Sequence, residues 1–519
     1  MKKTAYKRIS GGETICAVYL CLLGITLPLA VHDAYFDITR TKALVFWVLS
    51  GALLLAWTFW RVIGKKGRDE LGPFAPTDLF FALFCLCHIL SSLLFRPFSA
   101  AFLAVDNRLQ GILSFALYLP VFLILRRGGS FTSPVRFALL LGGSVAALLG
   151  ILDIFDLSVL PLRAVSPAIE LPRFLSTVGN ISFFGALCAL LLPIAVWYAL
   201  SAKDLRGALP YALCALLALC GGMAARTEGF LLGALAFFAA LPLFSRSETA
   251  LRRVPLLWAL SSAAALLFSL AMSRWALYRP SELTRLLCSP ALLLPFCLIS
   301  AAVFWLLRGK EDALILRVRR TYLIVLAACL GMLALFLIAA NTLWRDSLPA
   351  PIASVAVFSP SWGSDRGAEW AAFWRMFRAA PLPQKLIGGG AGSVAAWDRA
   401  HPLFSDAITD SAHNEYLHYL LTGGLIGLGS YLALLVLAFR KALRQPSRAR
   451  TAIALGCFAY AVQAAVNIAQ PFTTPLFFAL LALTLSERSS DDGAEKKAGP
   501  FPYVGLCALV LVLLIAAAA

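Results

Sequence analysis

Charge is scarce in this chain: Asp, Glu, Lys and Arg make up only 14% of its 519 residues. A water-soluble protein ordinarily carries about 25%, so an ordinary soluble fold is excluded. Nucleotide fingerprints are also missing. Gly388-Gly389-Gly390-Ala391-Gly392 is a permissive turn with neither the Walker nor the dinucleotide spacing. The 12 cysteines fall inside or at the edge of apolar runs, with no ligand-like cluster in any loop. They read as small core residues, which excludes a disulfide framework and a cysteine metal centre. His413 and His418 would not share a helix face, so a two-histidine metal site is poorly supported as well. No small-residue cleavage site follows the apolar run behind Lys2, Lys3, Lys7 and Arg8. That run is expected to remain as an anchor.

What the chain has instead is grease. Hydrophobic residues account for 60% of it and the mean hydropathy is +0.82. Apolar runs of roughly 16 to 24 residues recur from end to end, each long enough to cross a hydrocarbon core about 30 Å thick. Lipid satisfies no backbone polar group, so helices are the expected spanning element. The expectation is an all-α polytopic membrane protein with roughly 13–15 transmembrane helices. The spans are placed near 14–31, 43–62, 77–95, 111–125, 137–154, 181–200, 208–223, 229–245, 254–273, 287–307, 321–343, 423–439, 451–469, 471–486 and 501–519.

The net charge of +18 would point to nucleic acid in a soluble protein, but here its placement decides the reading. Alternate connections carry Arg61/Lys65/Lys66/Arg68, Arg126/Arg127/Arg136, Lys203/Arg206, Arg246/Arg252/Arg253, Arg308 to Arg320, and Arg440 to Arg450. The positive-inside rule makes these loops cytoplasmic. The opposite set, 32–42, 96–110, 155–180, 224–228, 274–286, 344–422 and the turn at Gln470, then faces outward. Several outer loops nevertheless hold arginines, among them Arg108, Arg163, Arg173, Arg226 and Arg366. An anionic ligand would explain them; snorkelling or helix capping would explain many singly.

Five regions follow: 1–343, an N-terminal helical region; 344–422, one large extracytoplasmic loop; 423–486, C-terminal spans; 487–500, a polar cytoplasmic linker; and 501–519, a terminal span. Within the loop, Trp370, Phe373, Trp374 and Phe377 recur at i, i+3, i+4 and i+7, beside Arg366, Arg375 and Arg378. That spacing predicts an amphipathic helix in the outer interface, its aromatic stripe against lipid or the bundle, ended by Pro381 and Pro383. The loop closes with Asp410-Ser411-Ala412-His413-Asn414-Glu415-Tyr416-Leu417, where histidine, carboxylates, amide and phenol crowd a membrane boundary. Gly423, Gly424, Gly427 and Gly429 beyond it permit close helix packing and leave room for a turn before the true span.

Taken together, these residues resemble the signature region of the bacterial O-antigen ligase and O-antigen polymerase superfamily: Arg366 ahead of the Trp-rich helix, Pro-Leu-Pro-Gln-Lys-Leu-Ile-Gly-Gly-Gly-Ala-Gly, Asp-Ser-Ala-His-Asn-Glu-Tyr-Leu, and Thr-Gly-Gly-Leu-Ile-Gly-Leu-Gly. Upstream, Phe174 to Phe183 is similar to the family's Gly-Asn-Pro-Asn stretch, with Ile181-Ser182 in place of Pro-Asn. Ala225-Arg226-Thr227-Glu228-Gly229 stands where the family shows a Ser-Arg-Gly turn. Asp33, Asp37 and Lys42 look like its opening segment and are assigned no chemistry.

The resemblance implies a GT-C-type glycosyltransferase of the bacterial inner membrane. It would move a glycan from undecaprenyl diphosphate to an acceptor hydroxyl on the extracytoplasmic face, with neither metal nor nucleotide cofactor. Lipid A core is the acceptor for a ligase, another carrier-linked glycan for a polymerase. On this reading His413 is the general base, while Arg226 and Arg366 stabilise the leaving diphosphate. Arg108 and Arg173 support them, and Asn414, Glu415 and Tyr416 bind substrate, with Asp410 or Glu415 free to orient the imidazole. Partners besides donor and acceptor are the lipid bilayer and no nucleic acid. A lipid-linked glycan flippase or transporter is the alternative from another class; a peptidoglycan polymerase of the cell-shape kind is a further one.

Overall fold

The computed structural model describes residues 11–63, 74–163, 165, 171–363, 365–404 and 408–488. The expected span 501–519 and all but the start of the 487–500 linker lie outside them. The described chain is an all-α multi-pass membrane protein. Its helices are α1 (Gly11–Leu29), α2 (Ile38–Ile63), α3 (Pro76–Phe95), α4 (Phe98–Ala101), α5 (Ile112–Gly128), α6 (Ser133–Ile154), α7 (Ile181–Leu200), α8 (Leu205–Ala224), α9 (Glu228–Phe244) and α10 (Glu248–Trp275). They continue as α11 (Glu282–Leu287), α12 (Pro290–Leu307), α13 (Asp312–Thr342), α14 (Ala350–Ala356), α15 (Arg366–Ala379), α16 (Leu382–Ile387), α17 (Ser393–Ala400), α18 (Glu415–Arg444), α19 (Arg448–Gln463) and α20 (Thr473–Leu485). Among the described residues, 11 helices are long and apolar enough to cross a membrane. The 98–107 segment and α5, bent by 80° from each other, make up to a twelfth, and α9 and α20 are shorter apolar helices.

The packing order follows from sidedness of the sequence. α7 carries no charged residue on any face and is buried all round, as a uniformly apolar helix must be if it is not to face lipid alone. α8, α9 and α19 surround it, α1 lies on α6, and α3 on α18. Between α1 and α6 the approach is so close that a Cβ on Gly142 would meet the carbonyl oxygen of Gly24 at 2.3 Å, which is the use of small residues in bilayer packing. α12 and α13 stand at the other extreme, with only 6% of each span buried. The 11 described cysteines are all free.

The large loop folds onto the bundle through α14 to α17. α18 begins at Glu415, inside the segment expected to be loop to residue 422, and leaves helical geometry at Gly424 (φ 71°, ψ −173°). Only glycine adopts that conformation without strain, and a Cβ there would strike the backbone of Leu386 at 2.4 Å. The break is what lets α16 lie against α18. α15 matches the expected amphipathic helix, but its buried face is Gly367, Glu369, Ala372 and Phe373, about one position round from the aromatic stripe. Phe373 packs with Val394, Ala412 and Leu421, while Trp374 is half exposed and stacks on Phe377.

The helix ends divide into two groups. At one end the cationic connections touch one another: Arg253 donates to the carbonyls of Leu200 and Ala202, Arg448 to the hydroxyl of Ser201, and Arg319 to the carbonyls of Pro242 and Leu243. At the opposite end the remaining connections do the same. Leu277 N–H donates to Ile154 O, Tyr35 Oη to Ser176 O, and Asn467 Nδ2 to Ser182 O.

Candidate functional site

The opposite end is where the histidine of the loop lies. His413 precedes α18 with a left-handed backbone (φ 45°), because Asn414 is already the helix cap: its side chain accepts the Leu417 N–H at 3.0 Å. The ring's Nδ1 lies 3.0 Å from Oε2 of Glu369 on α15. Glu369 has a side chain only 9% exposed, against 36% for His413, so a buried carboxylate backs a more accessible imidazole. The neighbouring pair repeats the clamp, Trp370 Nε1 donating to Ala412 O at 2.9 Å. With Nδ1–H donated to the carboxylate, Nε2 is left as the proton-accepting nitrogen.

The first residue of α15 is Arg366, one turn ahead of Glu369. Its Nη1 donates to Gly363 O at 3.1 Å and lies 3.4 Å from Oε2 of Glu228, while its Nε–H is buried with no partner among the described residues. Two residues before Glu228, Arg226 occupies the turn between α8 and α9 in left-handed conformation (φ 55°). It donates Nη2 to Pro172 O and stands 4.8 Å from the centre of the Tyr278 ring; its buried Nε–H also lacks a partner among the described residues. Burial lowers the pKa of Arg226 and the nearby Arg163 adds to the effect, with Tyr278 opposing. A guanidinium nonetheless keeps its charge in proteins. The result is a fixed positive charge with a ring and a carbonyl as neighbours and, among the described residues, no carboxylate paired to it.

Arg108 is differently placed. It makes a bidentate pair with Asp410, both bonds 2.9 Å, across 302 residues of sequence, and its guanidinium is 5.6 Å from the centre of the Phe183 ring. Asp410 is therefore engaged by an arginine and does not orient His413. Neither does Glu415, which is buried under the phenols of Tyr431 at 2.7 Å and Tyr460 at 3.0 Å. Tyr416 Oη donates to Ala461 O at 2.5 Å. Of the residues expected to bind substrate, Asn414, Glu415 and Tyr416 thus anchor α18, Asn414 through its Oδ1 and the other two through carboxylate and phenol. Arg173 is exposed beside the short hairpin β1 (Phe174–Leu175) and β2 (Gly179–Asn180) and among the described residues makes no hydrogen bond or ion pair.

The structure thus brings Arg108, Arg226, Arg366 and His413 to one end of the bundle and leaves Arg173 at its margin. It adds two participants to which sequence reasoning gave no role, Glu369 and Tyr278, and sets Arg163, one of the outer arginines, beside them. Glu369 backs the imidazole; Tyr278 faces Arg226 and accepts from Arg163 Nη2 at 3.1 Å; and Arg163 also donates to Phe174 O at 3.3 Å. The spacing of Glu369, one turn after Arg366, was available in the sequence, but only the burial phase of α15 turns it inward. Among the described residues no group of three His, Cys, Asp or Glu side chains is arranged to hold a metal ion. Compared with models of known families and with curated proteins, the chain matches none.

Proposed function

We propose that this chain is a glycosyltransferase of the O-antigen ligase kind, working in a bacterial inner membrane with its site on the extracytoplasmic face. The observation that carries the proposal is the convergence of two incompletely paired guanidiniums, Arg226 and Arg366, with an imidazole that a buried carboxylate orients. Cleaving a glycosyl diphosphate needs positive charge where the leaving oxygen becomes anionic, and a base where the attacking hydroxyl loses its proton.

In the proposed reaction the acceptor oxygen attacks the anomeric carbon of the carrier-linked sugar. A new carbon–oxygen bond forms as the bond to the diphosphate breaks, and its electron pair goes to the diphosphate of the undecaprenyl carrier. The hydroxyl proton passes to Nε2 of His413, whose growing positive charge Glu369 stabilises. Arg226 and Arg366 hold the diphosphate; Arg108, already neutralised by Asp410, shapes the wall beside Phe183. Single displacement inverts the anomeric centre.

The test is a transfer assay with purified protein, undecaprenyl-diphosphate-linked glycan and either lipid A core or a second carrier-linked glycan as acceptor. Product of inverted configuration, formed in the presence of a metal chelator, is expected. A requirement for divalent metal or sugar nucleotide, or undiminished transfer by His413→Ala, would sink the proposal. Which acceptor is glycosylated separates ligase from polymerase.

A further inference from the structure

The cation-rich end contains a cavity of about 490 Å³ between the α7–α8 connection, the end of α9, the start of α10 and the turn from α18 to α19. Four basic side chains line it, Lys203, Arg246, Arg253 and Arg448, with no Asp or Glu among the lining residues. Elsewhere at this end several cations are matched by carboxylates. Arg126 and Arg127 pair with Asp78, Arg252 with Asp312, Lys441 with Glu487, and Arg488 with Glu13. In the cavity the three guanidiniums are instead held by neutral groups. Arg246 donates to Leu443 O; Arg253 to Leu200 O at 3.2 Å and Ala202 O at 2.8 Å; Arg448 to Ser201 Oγ at 2.8 Å and Tyr198 O at 3.2 Å. Their positions are fixed, yet their charge is uncompensated.

We propose that this cavity binds the phosphate of an anionic lipid headgroup. Three features favour a lipid over a soluble anion. Part of the lining is apolar, including Trp197, Leu200 and Phe244. It lies where the spans α7 and α9 end, at the level of the headgroups. The adjoining α8 exposes Leu205 and Leu209, an apolar surface on which acyl chains can lie. Basic pockets between transmembrane helices are a recurring way to recognise such headgroups, and guanidiniums match phosphate geometry bidentately. The hydroxyl of Thr249 at the cavity wall adds a neutral donor. The site is separate from the proposed transfer centre and stands whether or not that reading holds.

The experiment uses the full chain purified in neutral detergent and titrated with dioleoylphosphatidylglycerol, dioleoylphosphatidylcholine or inorganic phosphate, with melting temperature as the readout. Phosphatidylglycerol is expected to raise it saturably, and the other two are not. Lys203 is exposed and, among the described residues, makes no hydrogen bond, so Lys203→Gln is expected to fold as the parent does, and K203Q/R246Q loses only the bond from Arg246 to Leu443 O. The unliganded melting temperature of each checks this. About fivefold weaker phosphatidylglycerol binding is expected for the first and roughly 25-fold for the second, while R61Q, a cation of the same end outside the cavity, changes nothing. Unaltered binding by K203Q/R246Q, or an equal response to phosphatidylcholine, would overturn the site. If inorganic phosphate alone reproduces the shift, the ligand is a soluble anion and the lipid assignment fails.

Discussion

The two ends of the bundle both carry arginines, and they treat them differently. At the cation-rich end Arg126, Arg127, Arg252, Lys441 and Arg488 each meet a carboxylate, the tightest case being Asp78, fully buried between Arg126 and Arg127. At the opposite end Arg226 faces a ring and a carbonyl, Arg366 reaches its glutamate only at 3.4 Å, and a histidine has captured the best-buried carboxylate of α15. Charge density therefore does not mark a site. What marks it is a guanidinium that the protein has immobilised and left electrostatically unanswered, because only such a group gains when an anion arrives.

The comparison can be broken most severely at the histidine. His413→Ala is expected to lower transfer by about 10²–10⁴-fold with little change in melting temperature; an equally large loss of stability would show instead that the ring is a structural wedge. Arg226→Ala or Arg366→Ala should each cost about 10²–10³-fold in kcat, and Arg226→Lys should restore little, since a point charge does not replace a planar fork.

Stability should follow the reverse geography. Asp78→Asn leaves two buried guanidiniums without their anion and is expected to destabilise the fold by about 3–5 kcal/mol, read by unfolding in denaturing detergent, with transfer per folded molecule unchanged. Asp410→Asn, at a half-exposed pair, should cost about 1 kcal/mol or less.

The smallest effect is pH-dependent. Hydrogen bonding to Lys441 lowers the pKa of Glu487 below its ordinary 4.5. A depressed carboxylate contributes stability above its unfolded pKa and loses it as pH falls through the folded value. Glu487 is 77% exposed, so Glu487→Gln should lower the melting temperature slightly at pH 7, by an amount that fades as pH falls below the carboxyl's depressed pKa. A difference that persists at low pH would mean that the contact is not ionic.

Much of this molecule was legible before any coordinates. Apolar run length located α7 to the residue, 181–200, and the alternation of cationic loops sorted the connections into the two sets that touch one another. Arg366 and His413 stood out through motif and position. What was hidden depended on rotation and depth. Four residues of spacing do not say which face of α15 turns inward, so Glu369 was given no role and the aromatic stripe was set about one position off. Composition could not show that Glu415 belongs to Tyr431 and Tyr460, or that Asp410 belongs to an arginine 302 positions away. The start of α18 inside the supposed loop was masked by glycines, whose local preference argues for a turn; α16 and the break at Gly424 satisfy both demands.

α15 itself has a consequence for timing. Its first turn presents Arg366 and its second residue-turn boundary holds Glu369, so one rigid rod carries the handle for the donor and the rest for the imidazole. Because the rest already holds the imidazole at 3.0 Å, under the proposed chemistry neither substrate need arrive first to set the distance from handle to base.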